Sequence, residues 1–469
     1  MKPGNAGGGK GPQFKVNAGR REGREIDVSL PTLNKVQELQ MALHAKAKGS
    51  PGFRFYSLYD KIYRRDVLES AWMRSKANGG APGVDGQTFE EIEAYGLERW
   101  LGELAEVLRE RKYQPDAARR VWIPKPNGKK RPLGIPTIRD RVVQTAAMMI
   151  MEPIFEADLQ PEQYAYRPER SALDAIRRIH ALVNTGHTAV VDADLSGYFD
   201  SIPHTELMKS VSRRISDGQM LHLIKMWLTM PVEEKGDRGN KSRTTDAKDT
   251  KRGTPQGAPI SPLLSNLYMR RFILGWKVLG HGDVLQSHIV NYADDFVICC
   301  RGQADVAMRI MREMMEKLKL TVNEEKTRIC CLPEETFNFL GYTIGRYYPT
   351  MGGGRAILGT WPSKKSVEKM CSAISDHTDE RWLWEEAEDL VKALNRRVTG
   401  WANYFSVGVV RRAHAAVDAH TKRRLRQWLC RKHKQRGDGE ARYPDRYLHE
   451  KLGLISLTKL RQNFLRAKA

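Results

Sequence analysis

The sequence contains no hydrophobic run long enough to cross a bilayer, which takes about 18 or more apolar residues, and its first residues lack the apolar segment of a secretion signal. We therefore expect no membrane partner and a location in the cytoplasm of a bacterial-type cell. Cysteine is also scarce, with six residues in 469 and no two in a C-x-x-C spacing. This scarcity argues against a disulfide-stapled fold and a structural zinc site, and it fits a reducing compartment.

Acidic residues are fewer than basic residues in this sequence. There are 78 Lys and Arg residues against 56 Asp and Glu, which gives a formal net charge of +22. Such an excess predicts a polyanionic partner, with nucleic acid as the first candidate. The excess is concentrated near the C-terminal end, where residues 391–469 contain 20 Lys and Arg against 5 Asp and Glu.

Aromatic residues are interleaved with these C-terminal cations, at Trp401, Tyr404, Phe405, Trp428, Tyr443 and Tyr447. Clustered cations bind an RNA backbone, and exposed rings stack on unpaired bases. The alternative is that the rings form the core of a helical domain. We prefer this alternative for Trp401 and Phe405, which are spaced i, i+4.

Composition and periodicity divide the chain into segments. Residues 1–25 are rich in Gly, Lys and Arg, which predicts a disordered basic arm. Residues 233–252 contain no large apolar residue, which predicts an exposed, mobile loop, and the glycines at 351–355 indicate a domain boundary. Helices are predicted at 31–48, 53–76, 89–111, 261–276, 303–319, 382–409 and 411–434, and strands at 119–123, 133–135, 188–195, 320–326 and 336–342.

Two acids stand between two short apolar runs in Ser287–Cys300. The pattern predicts a β-hairpin with Asp294 and Asp295 at its tip. Asp is a common turn residue, so the pair taken alone favours a simple turn. The other interpretation is a Mg²⁺ site, because Mg²⁺ prefers carboxylate oxygens together with water and substrate phosphates.

A further acid lies near the end of the strand predicted at 188–195. Asp192 and Asp194 are two residues apart and share one face of that strand, and Asp194 is nearer the following turn. If this strand is a sheet neighbour of the hairpin, Asp194, Asp294 and Asp295 converge. Three carboxylates around two Mg²⁺ ions about 3.5–4 Å apart meet the requirement of two-metal phosphoryl transfer. The cation-rich turn at 125–131 would then contact the outer phosphates of a triphosphate.

Seven blocks occur in order: RPLGIPTIRDRVVQ (131–144), EQYAYRPERSALDAI (162–176), DADLSGYFDSIPH (192–204), GTPQGAPISPLLSN (253–266), VNYADDF (290–296), LTVNEEKT (320–327) and FNFLGY (337–342). They resemble the successive blocks of group II intron-encoded reverse transcriptases/maturases, and the similarity extends across residues 30–345. VKALNRRVTGWANYF (391–405) resembles the maturase, or X, region of the same family.

The resemblance implies an α+β fold: a right-hand polymerase, with fingers and a palm built on an antiparallel sheet, followed by an all-α thumb and maturase (X) region. The domains expected on this basis are a basic arm at 1–25, a helical extension of the fingers at 26–105, fingers and palm at 106–345, and a thumb and RNA-binding maturase region at 346–469.

The resemblance also implies the site residues, which are metal-binding catalytic acids, a carbonyl ligand and nucleotide-binding side chains: Asp194, Asp294 and Asp295; Leu195; and Lys125, Arg131, Tyr198, Gln256 and Lys326. Lys125 and Arg131 match finger residues that contact the triphosphate, and Tyr198 matches the aromatic that excludes a ribose 2′-OH. Gln256 matches the residue under the templating pair, and Lys326 a proton donor to pyrophosphate. Two Mg²⁺ ions are the implied cofactor. Ala258 departs from the family, which has Gly there.

The implied function is RNA-directed DNA synthesis that copies intron RNA into cDNA, with binding of the intron RNA to assist splicing and mobility. Intron RNA template and primer, dNTPs and target DNA are the implied partners. One alternative is an RNA-binding splicing factor without polymerase activity, against which the intact acids argue. Another is a domesticated reverse transcriptase in phage defence or CRISPR spacer capture, against which the basic, maturase-like C-terminal region argues.

Overall fold

The computed structural model describes residues 30–124, 128, 130–235, 240–348 and 356–460. The predicted arm at 1–25, the predicted nucleotide-binding Lys125 and the glycine break at 351–355 lie outside these residues.

The described residues form helices α1 (Leu30–Gly49), α2 (Tyr59–Ile62), α3 (Arg65–Asn78), α4 (Phe89–Arg109), α5 (Ile138–Glu156), α6 (Ala172–Asn184), α7 (Tyr198–Ser201), α8 (His204–Ser212), α9 (Gly218–Leu228), α10 (Asp246–Thr250), α11 (Ser261–Val278), α12 (His281–Val284), α13 (Ala304–Lys317), α14 (Lys364–His377), α15 (Ala387–Tyr404) and α16 (Arg411–Lys432). None of these helices is both long and apolar enough to span a membrane.

The strands are β1 (Ala118–Pro124), β2 (Lys130–Ile135), β3 (Ala189–Asp194), β4 (Val232–Lys235), β5 (Lys241–Thr244), β6 (Ser287–Tyr292), β7 (Asp295–Cys300), β8 (Arg328–Cys331), β9 (Phe337–Phe339), β10 (Tyr342–Tyr347) and β11 (Ile357–Pro362). They form a central sheet in the order β6-β7-β3-β8, a lateral sheet in the order β2-β1-β4-β5 and a small sheet in the order β11-β10-β9. The architecture is therefore mixed α and β, as the resemblance implies.

The central sheet is antiparallel and covered on both faces. Alternate residues of β3 and β7 face opposite sides, as the pleat of a strand requires. Val191 and Ile298 belong to the large core formed with α5, α11 and α13. Val190 and Val297 belong to a second core formed with α6 and the small sheet. Burial on both faces explains why β7 is apolar from Phe296 to Cys300.

The helix predicted at 53–76 begins later than its sequence indicates. Residues 53–58 precede α2, and the Phe55 N–H donates to the Arg214 carbonyl at 2.7 Å in an isolated bridge between Phe55 and Ile215. The amphipathic pattern is present in this segment, but the tertiary pairing determines its backbone. The strand predicted at 320–326 is likewise reduced to one bridge, between Val322 and Leu195.

The prediction of a loop at 233–252 is wrong for the residues described there, whereas most of their side chains are exposed, as predicted. β4 pairs in parallel with β1 and antiparallel with β5, and α10 follows. The Glu233 side chain is buried, and its oxygens bind Lys241 at 3.1 Å and Arg243 at 3.0 Å on β5. Backbone pairing and cross-strand ion pairs order a segment that has no large apolar residue.

The C-terminal region is mainly helical, with one departure from the all-α prediction. β11 lies inside the expected 346–469 segment and pairs with β10 from Tyr342↔Pro362 to Tyr347↔Ile357. Beyond it, α14, α15 and α16 pack around a core that includes Trp428, which is fully buried. Phe405 and Tyr443 are also buried, so these three rings are core residues and are not free to stack on bases.

Gly257 lies in the segment before α11 and packs closely against β2 of the lateral sheet. Its φ is +102°, and a Cβ there would lie 2.5 Å from the Gly134 carbonyl on β2. We expect Gly257→Ala to destabilise the protein by about 1–3 kcal/mol, because both the backbone conformation and the contact exclude a side chain. Gly102→Ala is the control, since Gly102 is helical with nothing within 4 Å. That change should stabilise by about 0.5–1 kcal/mol. Equal effects of the two changes in urea denaturation would contradict this account.

Candidate active site

Asp194 and Asp295 are direct cross-strand partners. The antiparallel register of β3 and β7 runs from Ala189↔Cys300 to Asp194↔Asp295. Directly opposite residues of an antiparallel pair point to the same face of the sheet, with Cβ atoms about 4.5–5.5 Å apart. The structure therefore brings Asp194 beside the hairpin, although 100 residues separate it from Asp294 in the sequence.

The hairpin tip holds Asp294 in a braced turn. Ala293, which precedes it, has a left-handed φ of +58°. Its carbonyl accepts a hydrogen bond from the Asn291 Nδ2 at 2.9 Å. Asn291 is itself buried and exchanges backbone hydrogen bonds with Glu162 and Tyr164. The predicted hairpin is confirmed, with Ala293 and Asp294 in its turn, whereas Asp295 is the first residue of β7 and pairs with Tyr292.

Several carboxylates on this face disfavour ionisation of one another. Burial, together with the charges of Asp294, Asp194 and Asp192, raises the pKa of Asp295 to about 7, against the opposing effect of Lys326. Burial also raises the pKa of Asp192 to about 6, against the opposing effect of Arg328. Like charges placed opposite each other destabilise a sheet. Such an arrangement is characteristic of functional sites and favours a bound cation.

Lys326 supplies a cation next to these acids. Its Nζ donates to Asp194 Oδ2 at 2.9 Å, and the Asn323 Nδ2 donates to the same oxygen at 2.8 Å. The hydrogen bond to Asp194 raises the pKa of Lys326, so the ammonium form is favoured. Within the described ranges, no group of three or more His, Cys, Asp or Glu side chains is arranged to hold a metal ion. Asp194 instead binds Lys326 and Asn323.

The Leu195 carbonyl points toward the hairpin. The Ser196 N–H donates to the Thr321 carbonyl at 2.9 Å, and the Asn323 N–H donates to the Asp194 carbonyl at 2.8 Å. These bonds flank the Leu195–Val322 pair, so the pair is of the non-hydrogen-bonded type and its own carbonyls face outward. For Leu195, the outward side is the side of β3 on which β7 and the hairpin acids lie.

A pH-dependent stability follows from the raised pKa of Asp295. Because its ordinary pKa is 3.8 and its folded-state pKa is about 7, the folded chain loses stability as the pH rises between these two values, and the whole loss is present above pH 7. We expect Asp295→Asn to raise the melting temperature in metal-free buffer by about 2–6 °C at pH 8 and by much less at pH 5. Exposed Asp246→Asn is the control. An increase of the same size at both pH values would refute the coupling.

Gln256 connects three parts of the chain. Its Oε1 accepts from Arg131 Nε at 3.1 Å, its Nε2 donates to Asp200 Oδ2 at 2.6 Å, and its carbonyl accepts from the Gly134 N–H at 2.8 Å. Arg131 is exposed at the start of β2. The two predicted nucleotide-binding residues Arg131 and Gln256 are therefore in contact.

Tyr198 follows β3 and is 2% exposed. Its hydroxyl donates to the Ser265 carbonyl on α11 at 2.6 Å, which holds the ring in one orientation. Ala258, the departure from the family pattern, is 3% exposed and so does not present its methyl group to a template.

Sequence reasoning missed two residues at this site. Asp200 binds Gln256, although an Asp in the turn after a strand carries no sequence signal beyond that turn. Tyr166 is 52% exposed with a left-handed φ of +54°, and burial together with the Asp294 carboxylate raises its pKa. The block EQYAYRPERSALDAI indicated that this segment is part of the family pattern, but it did not indicate which of its two tyrosines lies near the acids.

Comparison with known proteins matches the same regions. Residues 123–344 match the family described as reverse transcriptase (RNA-dependent DNA polymerase), and residues 367–447 match the group II intron, maturase-specific domain. The chain is 35% identical over 371 residues to protein YkfC of Escherichia coli, covering 71% of this chain and 93% of YkfC.

Two further relatives are longer than the matched region. The group II intron-encoded protein LtrA of Lactococcus lactis is 28% identical over 352 residues, covering 62% of this chain and 57% of LtrA. An uncharacterized 91 kDa protein in the cob intron of Schizosaccharomyces pombe is 29% identical over 447 residues, covering 80% of this chain and 53% of that protein. The two family matches and the extent of the likeness to YkfC lead to one conclusion: the chain belongs to the group II intron reverse transcriptase and maturase family.

Proposed function

We propose that the chain is an RNA-directed DNA polymerase that copies intron RNA into cDNA and binds that RNA to assist splicing and mobility. The observation that carries the proposal is the register of β3 against β7, which sets Asp194 opposite Asp295 and next to the hairpin tip with Asp294. The mutual repulsion of these carboxylates lowers the stability of the folded chain. Bound divalent cations would offset that repulsion, so the cluster is typical of a cation-binding site.

The oxygen donors at this register fit Mg²⁺. Asp194, Asp294 and Asp295 supply carboxylates and Leu195 an outward-facing carbonyl, all hard ligands that suit a small divalent cation. We propose that these four residues hold two Mg²⁺ ions. When bound, the ions would supply charge neutralisation and a lowered pKa for an attacking 3′-hydroxyl. A metal ligated by Asp194 would displace the Lys326 ammonium from its present contact.

The cations around the acids have separate proposed roles. Lys326 would protonate the leaving pyrophosphate, because its Nζ lies 2.9 Å from Asp194 and would be released beside the site when a metal binds that carboxylate. Arg131 would bind the triphosphate, since a planar guanidinium donates two parallel hydrogen bonds to phosphate oxygens. Lys125 keeps the same proposed role from the sequence.

Tyr198 keeps from the sequence its proposed role of excluding a ribose 2′-OH. Its ring is 2% exposed and its hydroxyl donates to the Ser265 carbonyl on α11, so the ring would reach a sugar only after the residues that cover it move. From that role we expect selection of deoxynucleotides, with Gln256 under the templating pair.

The division into fingers, palm and thumb is proposed on the same basis. The lateral sheet and helices α1–α5 would form the fingers, the central sheet the palm, and α14–α16 the thumb and RNA-binding maturase region. Exposed cations of that last region would contact phosphates, and three of them, Lys392, Arg431 and Arg446, also form ion pairs with Asp389, Glu380 and Glu450. The exposed cations are Lys392, Arg396, Arg412, Arg423, Arg431, Lys434, Arg436, Arg442, Arg446, Lys451 and Lys459.

The direct test is primer extension by the purified full chain on a primed RNA template with Mg²⁺. We expect cDNA from dNTPs, and extension at least about 10²-fold slower with rNTPs, because a steric clash in the sugar pocket costs several kcal/mol. Tight RNA binding without any extension would refute the polymerase and leave an RNA-binding splicing factor. Splicing assistance is tested separately, by adding the chain to its intron RNA.

A further inference from the structure

Asp200 lies at the end of a hydrogen-bonded chain of side chains that leads to Arg131. Its Oδ2 accepts from Gln256 Nε2 at 2.6 Å, and the Gln256 Oε1 accepts from Arg131 Nε at 3.1 Å. Asp200 belongs to α7, and the other two residues lie 56 and 69 positions away from it. The contact thus joins the turn after β3 to the start of β2.

The donor and acceptor chemistry of the three groups fixes which atom of each group faces the next in this hydrogen-bonded series. An ionised carboxylate only accepts hydrogen bonds, a guanidinium only donates, and an amide does both from opposite ends. With its nitrogen toward Asp200, Gln256 must turn its oxygen toward Arg131. Without an acceptor at Asp200, the amide nitrogen loses its partner, so the Gln256 side chain can adopt other rotamers and no longer holds its oxygen in one position against the Arg131 guanidinium.

Backbone hydrogen bonds hold the segment of Asp200 against the segment that precedes Gln256. The Thr254 N–H donates to the Phe199 carbonyl at 2.7 Å, and the Gly253 N–H donates to the Ile202 carbonyl at 2.9 Å. Gly253 has a φ of +93°, and a Cβ there would lie 3.2 Å from the Asp200 carbonyl. Because these bonds do not depend on the Asp200 side chain, its removal should leave the fold intact.

We propose that Asp200 is a positioning residue that sets the orientation of Gln256 and, through it, of Arg131. Its effect would be on the affinity for the incoming nucleoside triphosphate, because Arg131 is the group that meets the phosphates. This inference rests on the proposed polymerase function. Asp200 and Arg131 are both exposed, so the hydrogen bonds contribute little to stability and their value lies in geometry.

Single-nucleotide incorporation on primed RNA by the full chain tests the proposal. We expect Asp200→Ala to raise the KM for dNTP by about 3–10-fold with kcat within about twofold, the size of a lost charge-assisted hydrogen bond in contact with water. Asp200→Asn keeps an acceptor oxygen and should retain most of the affinity. Asp246→Ala removes an exposed acid on α10 and should change neither constant.

A double-mutant cycle separates positioning from a general structural role. In a Gln256→Ala background, Asp200→Ala should have no further effect on KM, because the amide that it orients is absent. An unchanged KM in the single variant, or the same increase in both backgrounds, would overturn the inference about Asp200. The polymerase function would still stand in that case, provided that the wild-type chain is active. A wild-type chain that binds primed RNA but extends nothing would overturn the polymerase, and this inference with it.

Discussion

We expect Asp294→Ala to reduce cDNA synthesis by at least about 10³-fold and to leave RNA affinity within about threefold of the wild type. A loss of that size corresponds to about 4 kcal/mol of transition-state stabilisation, which is the order expected for a lost metal ligand. RNA binding is spared because a carboxylate adds no attraction to phosphate. Primer extension and a filter-binding titration on the same preparations measure the two quantities.

The matched control for this variant is Asp305→Ala, which removes an exposed acid at the start of α13. It should leave both synthesis and binding unchanged. Two results would contradict the assignment of Asp294: synthesis above a tenth of the wild-type rate, or a loss of RNA affinity that accompanies the loss of synthesis. The second result would indicate a folding defect or a direct role in binding.

We expect RNA affinity to fall by at least about 10²-fold between 50 and 200 mM salt, because protein cations that bind several phosphates release the counterions of those phosphates. The number of available cations determines the slope. In the C-terminal region some cations are engaged in holding the helices together. Arg424 donates to the Ser375 and Thr378 carbonyls, and Lys432 donates to the Leu383 and Glu385 carbonyls. These structural cations should contribute little to the salt dependence.

Exposed cations of the same region supply the test. Replacing both Lys434 and Arg436 by Gln should reduce the slope of log affinity against log salt by about 1–2, since each phosphate contact contributes close to one. Arg99→Gln removes a cation paired with Glu103 at 2.9 Å on α4 and should leave the slope unchanged. A wild-type affinity that changes less than threefold over this salt range would remove the charge argument for RNA.

The sequence predicted the hairpin better than its surroundings. Alternation of apolar residues around Asp294 and Asp295 is a local property, and β6 and β7 lie where that pattern placed them. The position of Asp194 depends on a long-range register, so periodicity permits it without specifying it. The resemblance to the family implied that Asp194 belongs to one site with Asp294 and Asp295, and the pairing of Asp194 with Asp295 agrees with that implication.

Other features depended on contacts that no local pattern encodes. Strands β4 and β5 are held by the ion pairs of Glu233 and by pairing with β1. Composition alone predicts a loop for this segment. The rings of Trp428 and Tyr443 are buried, because amphipathic helices α14–α16 need a core even where the surrounding sequence is strongly basic. The contact of Asp200 with Gln256 arises from backbone pairing of two distant turns.

The most direct measurement is a crystal structure of the chain with primed RNA and a non-hydrolysable dNTP, grown in Mn²⁺ so that anomalous scattering locates the metal. The account predicts two Mn²⁺ ions bound by Asp194, Asp294, Asp295 and the Leu195 carbonyl, with Lys326 moved off Asp194. Nucleotide bound without any metal on these carboxylates, or metal held by other residues, would contradict it.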